Sequence, residues 1–86
     1  MVDPVDPQPC DQVRLHPHAA RANGTTPGTV LVIVDIVEGQ PGMYEVWHLD
    51  DHPDRQDWAA AITRDDIANL TRITARGDAH TWTLSP

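Results

Sequence analysis

The chain has 86 residues, of which 13 are acidic and 6 are basic, so its formal net charge at pH 7 is -7. This length has room for one small domain, and the negative charge disfavours direct binding to DNA or RNA because the phosphates would repel it. The single cysteine, Cys10, excludes an intramolecular disulfide and fits a reducing cytoplasm.

The first 28 residues predict a flexible, Pro-rich N-terminal tail. Five prolines and the turn-forming stretch 23–28 interrupt the apolar pattern there. The opening residues show neither the basic nor the apolar region of a secretory signal. On this interpretation residues 29–86 form the single domain. The alternative is that Val13, Leu15 and an alanine pair pack on the domain as an arm.

Residues 29–37 are the only long run of aliphatic and β-branched residues, and they predict a buried β-strand. A turn at 38–42 leads into the strand-like segment 43–49, which completes a hairpin. The apolar run is too short to cross a membrane, so we predict no membrane association.

Both faces of this hairpin carry apolar residues. The core of one small domain covers one of them, so the other apolar face is expected to remain exposed. We predict that the core face consists of Val32, Val34, Ile36, Tyr44 and Val46. We predict that the opposite face, an interface for another protein, consists of Leu31, Ile33, Trp47 and Leu49. An aromatic residue among aliphatic residues is typical of protein interfaces.

Two registers are open for the hairpin. If Val37 pairs with Met43, then Asp35 lies opposite Glu45, and like charges in that position are unfavourable. A shift by two residues places Asp35 opposite Trp47 instead. Paired carboxylates also occur in acid/base sites, but so small a domain rarely encloses a pocket. We therefore predict no enzymatic activity and no cofactor.

The segment after the hairpin predicts short helices. Residues 54–62 start with acidic side chains, as helices often do. A second helical piece begins at Thr63, with Asp66 at the capping-box position, and continues through residues 67–70. One uninterrupted helix would place Asp66 within its apolar arc, which favours a break at Thr63.

Residues 71–76 are either a last helical turn or a third strand. Their β-branched residues favour a strand, which would form a hairpin with residues 79–84 and place Ile73 opposite Trp82. The predicted fold class is therefore α+β, a small antiparallel sheet with one or two short helices. The order of elements is ββαββ, or ββαβ if residues 71–76 are helical.

The densest group of metal-ligand types lies between the predicted hairpin and the first helix, at His48, Asp50 and His52. Imidazole and carboxylate groups suit zinc and similar divalent metals. However, no cysteine joins them, and a polar strand end that leads into a helix has the same composition. These three residues are therefore weak metal candidates.

We predict a small acidic protein that binds another protein and forms a homodimer through an apolar sheet face or edge. One alternative is an acidic nucleic-acid mimic that inhibits a DNA- or RNA-binding protein. Its phosphate-like row would consist of Asp50, Asp51, Asp54, Asp57, Asp65 and Asp66. The other alternative is a metal-binding protein that uses His48, Asp50 and His52.

Overall fold

The computed structural model describes residues 5–40, 42–49 and 58–84, and within them six strands form one antiparallel sheet. The spatial order of the strands is β4-β3-β2-β1-β5-β6. The elements in chain order are β1 (Gln12–Leu15), α1 (Pro17–Ala22), β2 (Leu31–Ile36), β3 (Met43–His48), β4 (Ala59–Thr63), a 3-10 turn (Arg64–Asp66), β5 (Ile67–Ile73) and β6 (Ala79–Thr83).

The predicted ββαββ order, and its ββαβ alternative, are wrong. The described residues contain one short α-helix, which lies before β2. Of the stretch predicted as helical, residues 54–57 lie outside the described residues, and the rest forms β4, the 3-10 turn and the start of β5. Alanine favours a helix, but pairing with β3 and the burial of Ile62 override that preference. The predicted capping box is present, because Asp66 accepts hydrogen bonds from the backbone N–H and the hydroxyl of Thr63. It opens a 3-10 turn only.

The prediction of a flexible N-terminal tail is also wrong. β1 lies in the middle of the sheet, between β2 and β5, and Val13 and Leu15 belong to the core. α1 follows at once, with Pro17 in its first turn, where proline costs no hydrogen bond. The arm alternative named the right residues, but they form a central strand and its adjoining helix.

The short link between β4 and β5 forces the sheet to curl. Thr63 and Ile67 are separated by the 3-10 turn, which spans no more than about 14 Å even if extended. In a flat sheet β4 and β5 would lie four strand spacings apart, roughly 19 Å. The curl brings both ends of the sheet around one core, which contains Ile62 and Ile67 together.

The curl also decides which face of the first hairpin is buried, and the predicted core face was wrong. Leu31 and Ile33 are 0% exposed, whereas Ile36 is 46% exposed. Asp35 does lie opposite Glu45, as in the first of the two predicted registers, but the register then shifts between Ile33 and Asp35. Beyond this irregularity Ile33, not Val34, pairs with Val46.

The C-terminal hairpin forms as the strand alternative predicted, with a different register. β5 and β6 pair so that Trp82 lies opposite Leu70, and Ile73 lies opposite Ala79. The turn between them is closed by a hydrogen bond from the Thr74 N–H to the Asp78 carbonyl, at 2.8 Å. Trp82 is half-buried against the core.

Candidate interaction surface

The predicted metal site is represented in the structure by His48 alone, because Asp50 and His52 lie outside the described residues. The His48 ring stacks on Trp58, with centroids 4.5 Å apart and planes 6° apart. Its Nε2 lies 2.9 Å from the Thr25 hydroxyl. Within residues 5–40, 42–49 and 58–84 no three His, Cys, Asp or Glu side chains come together in a metal-binding group.

The contacts of His48 belong to a cluster that ties the loop after α1 to the end of β3. Trp58 Nε1 donates a hydrogen bond to the Asn23 carbonyl at 2.9 Å, and Asn23 Nδ2 donates to the Ala19 carbonyl at 2.8 Å. The loop is therefore held by hydrogen bonds to His48 and Trp58, whose rings stack on each other. These interactions give His48 a structural role.

The four residues predicted for an interface do not share one surface. The structure places Leu31 and Ile33 in the core, where neither reaches solvent. Trp47 is half-buried and Leu49 is 40% exposed, so these two lie at the surface. Trp47 therefore belongs to a different surface from the one that the alternation pattern predicted.

A mixed apolar and acidic surface lies on the outer side of β2, β3 and β4. Cross-strand partners project from the same face of a sheet. One row of partners is Val32, Trp47 and Ala59, and the next row ends in Glu45 and Ala61, with Asp35 at its start. We call this surface the Trp47 face, and its residues are Val32, Asp35, Glu45, Trp47, Ala59 and Ala61.

The place of the alanines on this surface was not predicted, because residues 58–62 were expected to be helical. The methyl side chains leave room beside β3, and a shallow groove of about 300 Å³ opens there. It is lined by Val37, Glu45, Ala59, Ala60 and Ala61. A groove of this size accommodates one or two side chains.

β4 is an edge of the sheet, and its outward backbone groups can be located from the neighbouring ladder. The Leu49 N–H donates to the Val30 carbonyl at 3.1 Å, so the odd-numbered residues of β3 bond to β2 and the even-numbered ones to β4. Their partners on β4 are Ile62 and Ala60. The N–H and C=O groups of Ala59 and Ala61 therefore point away from the sheet.

The Trp47 face carries two carboxylates. Asp35 Oδ1 accepts a hydrogen bond from the Ile36 N–H at 2.8 Å, and Glu45 Oε1 lies 3.5 Å from Trp47 Nε1. Neither carboxylate forms an ion pair with an arginine of the described residues. A groove lined mainly by alanines, a strand that pairs on one side only within the described residues, and two carboxylates together suit a ligand that is extended and positively charged.

A second polar cluster lies at the other end of the sheet. Arg72 donates to both oxygens of Asp11, from Nε to Oδ1 at 2.9 Å and from Nη2 to Oδ2 at 2.8 Å. The hydrogen bond to Asp11 raises the pKa of Arg72, against a smaller opposing effect of burial. Arg72 also donates to the Asp6 carbonyl and lies over the Trp82 ring, 5.4 Å from its centroid. With all these contacts the pair holds the chain before β1 to β5, which is a structural role.

The fold and its outer surface define a small, curled, six-stranded antiparallel sheet protein, in which β4 and β6 each pair with a single strand among the described residues. The chain belongs to DUF6211, a family of unknown function, whose model matches residues 2–86. No curated protein and no solved structure matches it. The helix among the described residues is too short to cross a membrane.

Proposed function

We propose that the protein is a non-enzymatic binding module, which holds an extended, basic segment of another protein along the edge of β4. The observation that carries this proposal is the position of Ala59 and Ala61. Their backbone groups point outward, and they line the groove beside Glu45. An added strand would extend the sheet through main-chain hydrogen bonds, a recurrent mode of peptide recognition.

Side-chain chemistry selects the segment in this proposal. Alternate residues of an added strand project toward the Trp47 face. A small apolar side chain fits the groove next to Ala61, and a lysine or arginine is long enough to approach the carboxylate of Glu45, which lies two strand spacings, roughly 10 Å, from the added strand. The overall charge of -7 adds long-range attraction for a basic partner.

The same charges argue against self-association through this face. Two copies that meet here would bring two pairs of Asp35 and Glu45 together, which costs free energy without a compensating cation. A different, basic protein satisfies the carboxylates, whereas a second copy does not. The predicted homodimer therefore needs another surface.

The two alternative functions receive no support from the described residues. Four of the six aspartates of the nucleic-acid mimic lie outside those residues, and Asp66 is engaged by Thr63 in the 3-10 turn. The metal-binding alternative retains only His48, which contacts Thr25 and Trp58. The exposed, free thiol of Cys10 supports a reducing, cytoplasmic location, which we include in the proposal.

The proposal is tested with a fluorescein-labelled, eight-residue peptide that alternates valine and lysine, in an anisotropy titration of the full chain. We expect saturable binding that weakens as salt rises, because surface charges are screened. A peptide that alternates valine and glutamate should not bind. Amide shifts in the NMR spectrum should concentrate at Ala59 and Ala61.

Two variants separate the contributions of charge and of the strand edge. Glu45→Gln should weaken binding, and its matched control is Glu38→Gln, which removes the same charge from an exposed turn. Ala61→Pro removes an outward N–H and should abolish binding. Equal affinities for Glu45→Gln and Glu38→Gln, with circular dichroism showing both folded, would contradict the proposal.

A further inference from the structure

We infer that two copies of the chain pair through the edges of β6, in an antiparallel, two-fold arrangement centred on Thr81. β6 is the last strand in the spatial order of the sheet, and β5 is the one strand that pairs with it among the described residues. This inference is independent of the binding module proposed for β4, which lies at the opposite end of the strand order.

The hydrogen bonds of the last hairpin show which groups of β6 point outward. The Leu84 N–H donates to the Ala68 carbonyl at 3.0 Å, and the Asp78 carbonyl accepts from Thr74. The even-numbered residues of this strand therefore face β5, since bonding directions alternate along a strand. The backbone N–H and C=O of Thr81 point away from β5, into the open edge.

The side chains around Thr81 agree with this assignment. Thr71 and Thr81 are cross-strand partners, and their hydroxyl oxygens lie 2.8 Å apart. Directly opposed residues that do not exchange backbone hydrogen bonds are the closer pairs in an antiparallel ladder. Thr81 therefore has its backbone bonding capacity on the outer side and its side chain held by Thr71.

β6 lacks the devices with which natural sheets protect an edge. Its sequence, Ala-His-Thr-Trp-Thr, has no lysine, proline or carboxylate, and its pairing with β5 runs without a bulge. The one charged residue opposite it on β5 is Arg72, which Asp11 neutralises. In this respect β6 differs from β4, where Glu45 lies opposite Ala61.

This distribution of charge makes a second copy the suitable occupant. Two chains of net charge -7 repel each other, so they pair best where no carboxylates face one another. Asp78 precedes β6, and an antiparallel pair places the two copies of Asp78 at opposite ends. A two-fold pair is also closed, which stops assembly at the dimer.

The proposed register places Thr81 on the two-fold axis. Thr81 exchanges both backbone hydrogen bonds with Thr81 of the partner subunit, and His80 lies opposite Trp82 of the partner subunit. Within one chain the rings of His80 and Trp82 already lie 6.0 Å apart. The dimer therefore joins four aromatic rings on one side of the extended sheet, and such cross-strand pairs stabilise it.

The register is tested by disulfide trapping in a Cys10→Ser background. Thr81→Cys places two thiols on the two-fold axis, within the distance that a disulfide spans, and should cross-link on mild oxidation. Ala79→Cys is the matched control on the same strand, because its two copies lie roughly 14 Å apart in this register. Efficient cross-linking of Ala79→Cys, or equal cross-linking of both variants, would overturn the register.

The edge is tested by light scattering behind size exclusion, across a concentration series. The unmodified chain should show twice the mass of one chain, and Thr81→Lys should raise the dimer dissociation constant by more than roughly tenfold, because it opposes like charges. Ala59→Lys places the same charge on β4 and should leave the dimer intact. A monomer at high micromolar concentration, or dissociation by Ala59→Lys instead of Thr81→Lys, would overturn the inference.

Discussion

Arg72 on β5 donates two hydrogen bonds, of 2.9 and 2.8 Å, to the carboxylate of Asp11, which lies 61 residues earlier in the chain. The carboxylate is buried, whereas the guanidinium remains partly open to solvent. Asp11 also accepts a hydrogen bond from the Gln8 N–H at 2.9 Å. One buried carboxylate therefore organises the chain that leads into the central strand.

Replacing Arg72 should destabilise the fold more than replacing Asp11. Arg72→Met leaves a buried carboxylate without its cation, and we expect the free energy of unfolding to fall by about 3 kcal/mol. Asp11→Asn leaves a partly exposed guanidinium and should cost about 1–2 kcal/mol. Urea denaturation measures both, with Arg14→Met, an exposed arginine on β1, as control. Equal losses for Arg72→Met and Arg14→Met would show that the pair contributes nothing.

The ion pair should be insensitive to alkaline pH, because its hydrogen bond to Asp11 raises the pKa of Arg72 above an already high value. A base whose folded-state pKa is raised stabilises fully below its unfolded pKa and loses that stabilisation only as pH rises through the folded value. Arg72→Lys brings the loss of this stabilisation into a measurable pH range, since lysine titrates at about 10.4. The stability difference between the natural chain and Arg72→Lys should therefore widen between pH 7 and pH 11. An unchanged difference in urea denaturation would contradict this assignment.

Deleting residues 1–28 should unfold the protein. The deletion removes β1, whose loss separates β2 from β5 and exposes the core around Leu31 and Leu70. Circular dichroism should show no strand signal and no cooperative thermal transition. Deleting residues 1–4 is the control, because it leaves every described element in place. A cooperative transition in the longer deletion would mean that residues 29–86 fold alone.

Trp58 should contribute to stability through both its ring and its N–H. Trp58→Phe keeps a ring against His48 but removes the hydrogen bond to Asn23, and should cost about 1 kcal/mol. Trp58→Ala removes both and should cost roughly twice as much, given that the residue is half-buried. Trp47→Phe is a matched control, since it loses only a marginal 3.5 Å contact. Thermal unfolding should show the largest loss of stability for Trp58→Ala, a smaller loss for Trp58→Phe and the smallest for Trp47→Phe.

Local patterns predicted the parts of the fold that depend on neighbouring residues. The hairpin of β2 and β3 and the hairpin of β5 and β6 both follow from β-branched runs around turn residues. The capping box at Thr63 was also visible, because it needs only Asp66 three residues later. Each of these features spans a short stretch of sequence.

The features that failed depend on contacts between distant segments. β1 has only Val13 and Leu15 as inward residues, too few to signal a strand, and it becomes one because β2 and β5 flank it. β4 is alanine-rich and would favour a helix without β3 beside it. The buried face of β2 follows from the curl of the whole sheet and the register shift after Ile33, neither of which an alternation pattern reports.

Of the residues on the Trp47 face, the sequence predicted only Trp47 as an interface residue, because an aromatic residue among aliphatic ones is typical of protein interfaces. Ala59 and Ala61 carry no interface signal in the sequence, since their contribution comes from small size and outward backbone groups. Edges of a sheet are likewise invisible until the strand order is known. The same limit applies to Thr81, which becomes notable only as the middle of an edge strand.

The central position of β1 sets the time course of folding. The hairpin of β2 and β3 closes over a short loop, but Val13 must pair with both Leu31 and Leu70, and Leu70 lies 57 residues later in the chain (70 − 13). Closing the chain between such distant residues costs entropy before their contacts can stabilise the fold. We therefore expect folding in milliseconds to seconds, not microseconds. During synthesis β1 therefore waits for β5, and the sheet cannot assemble before β5 has been made.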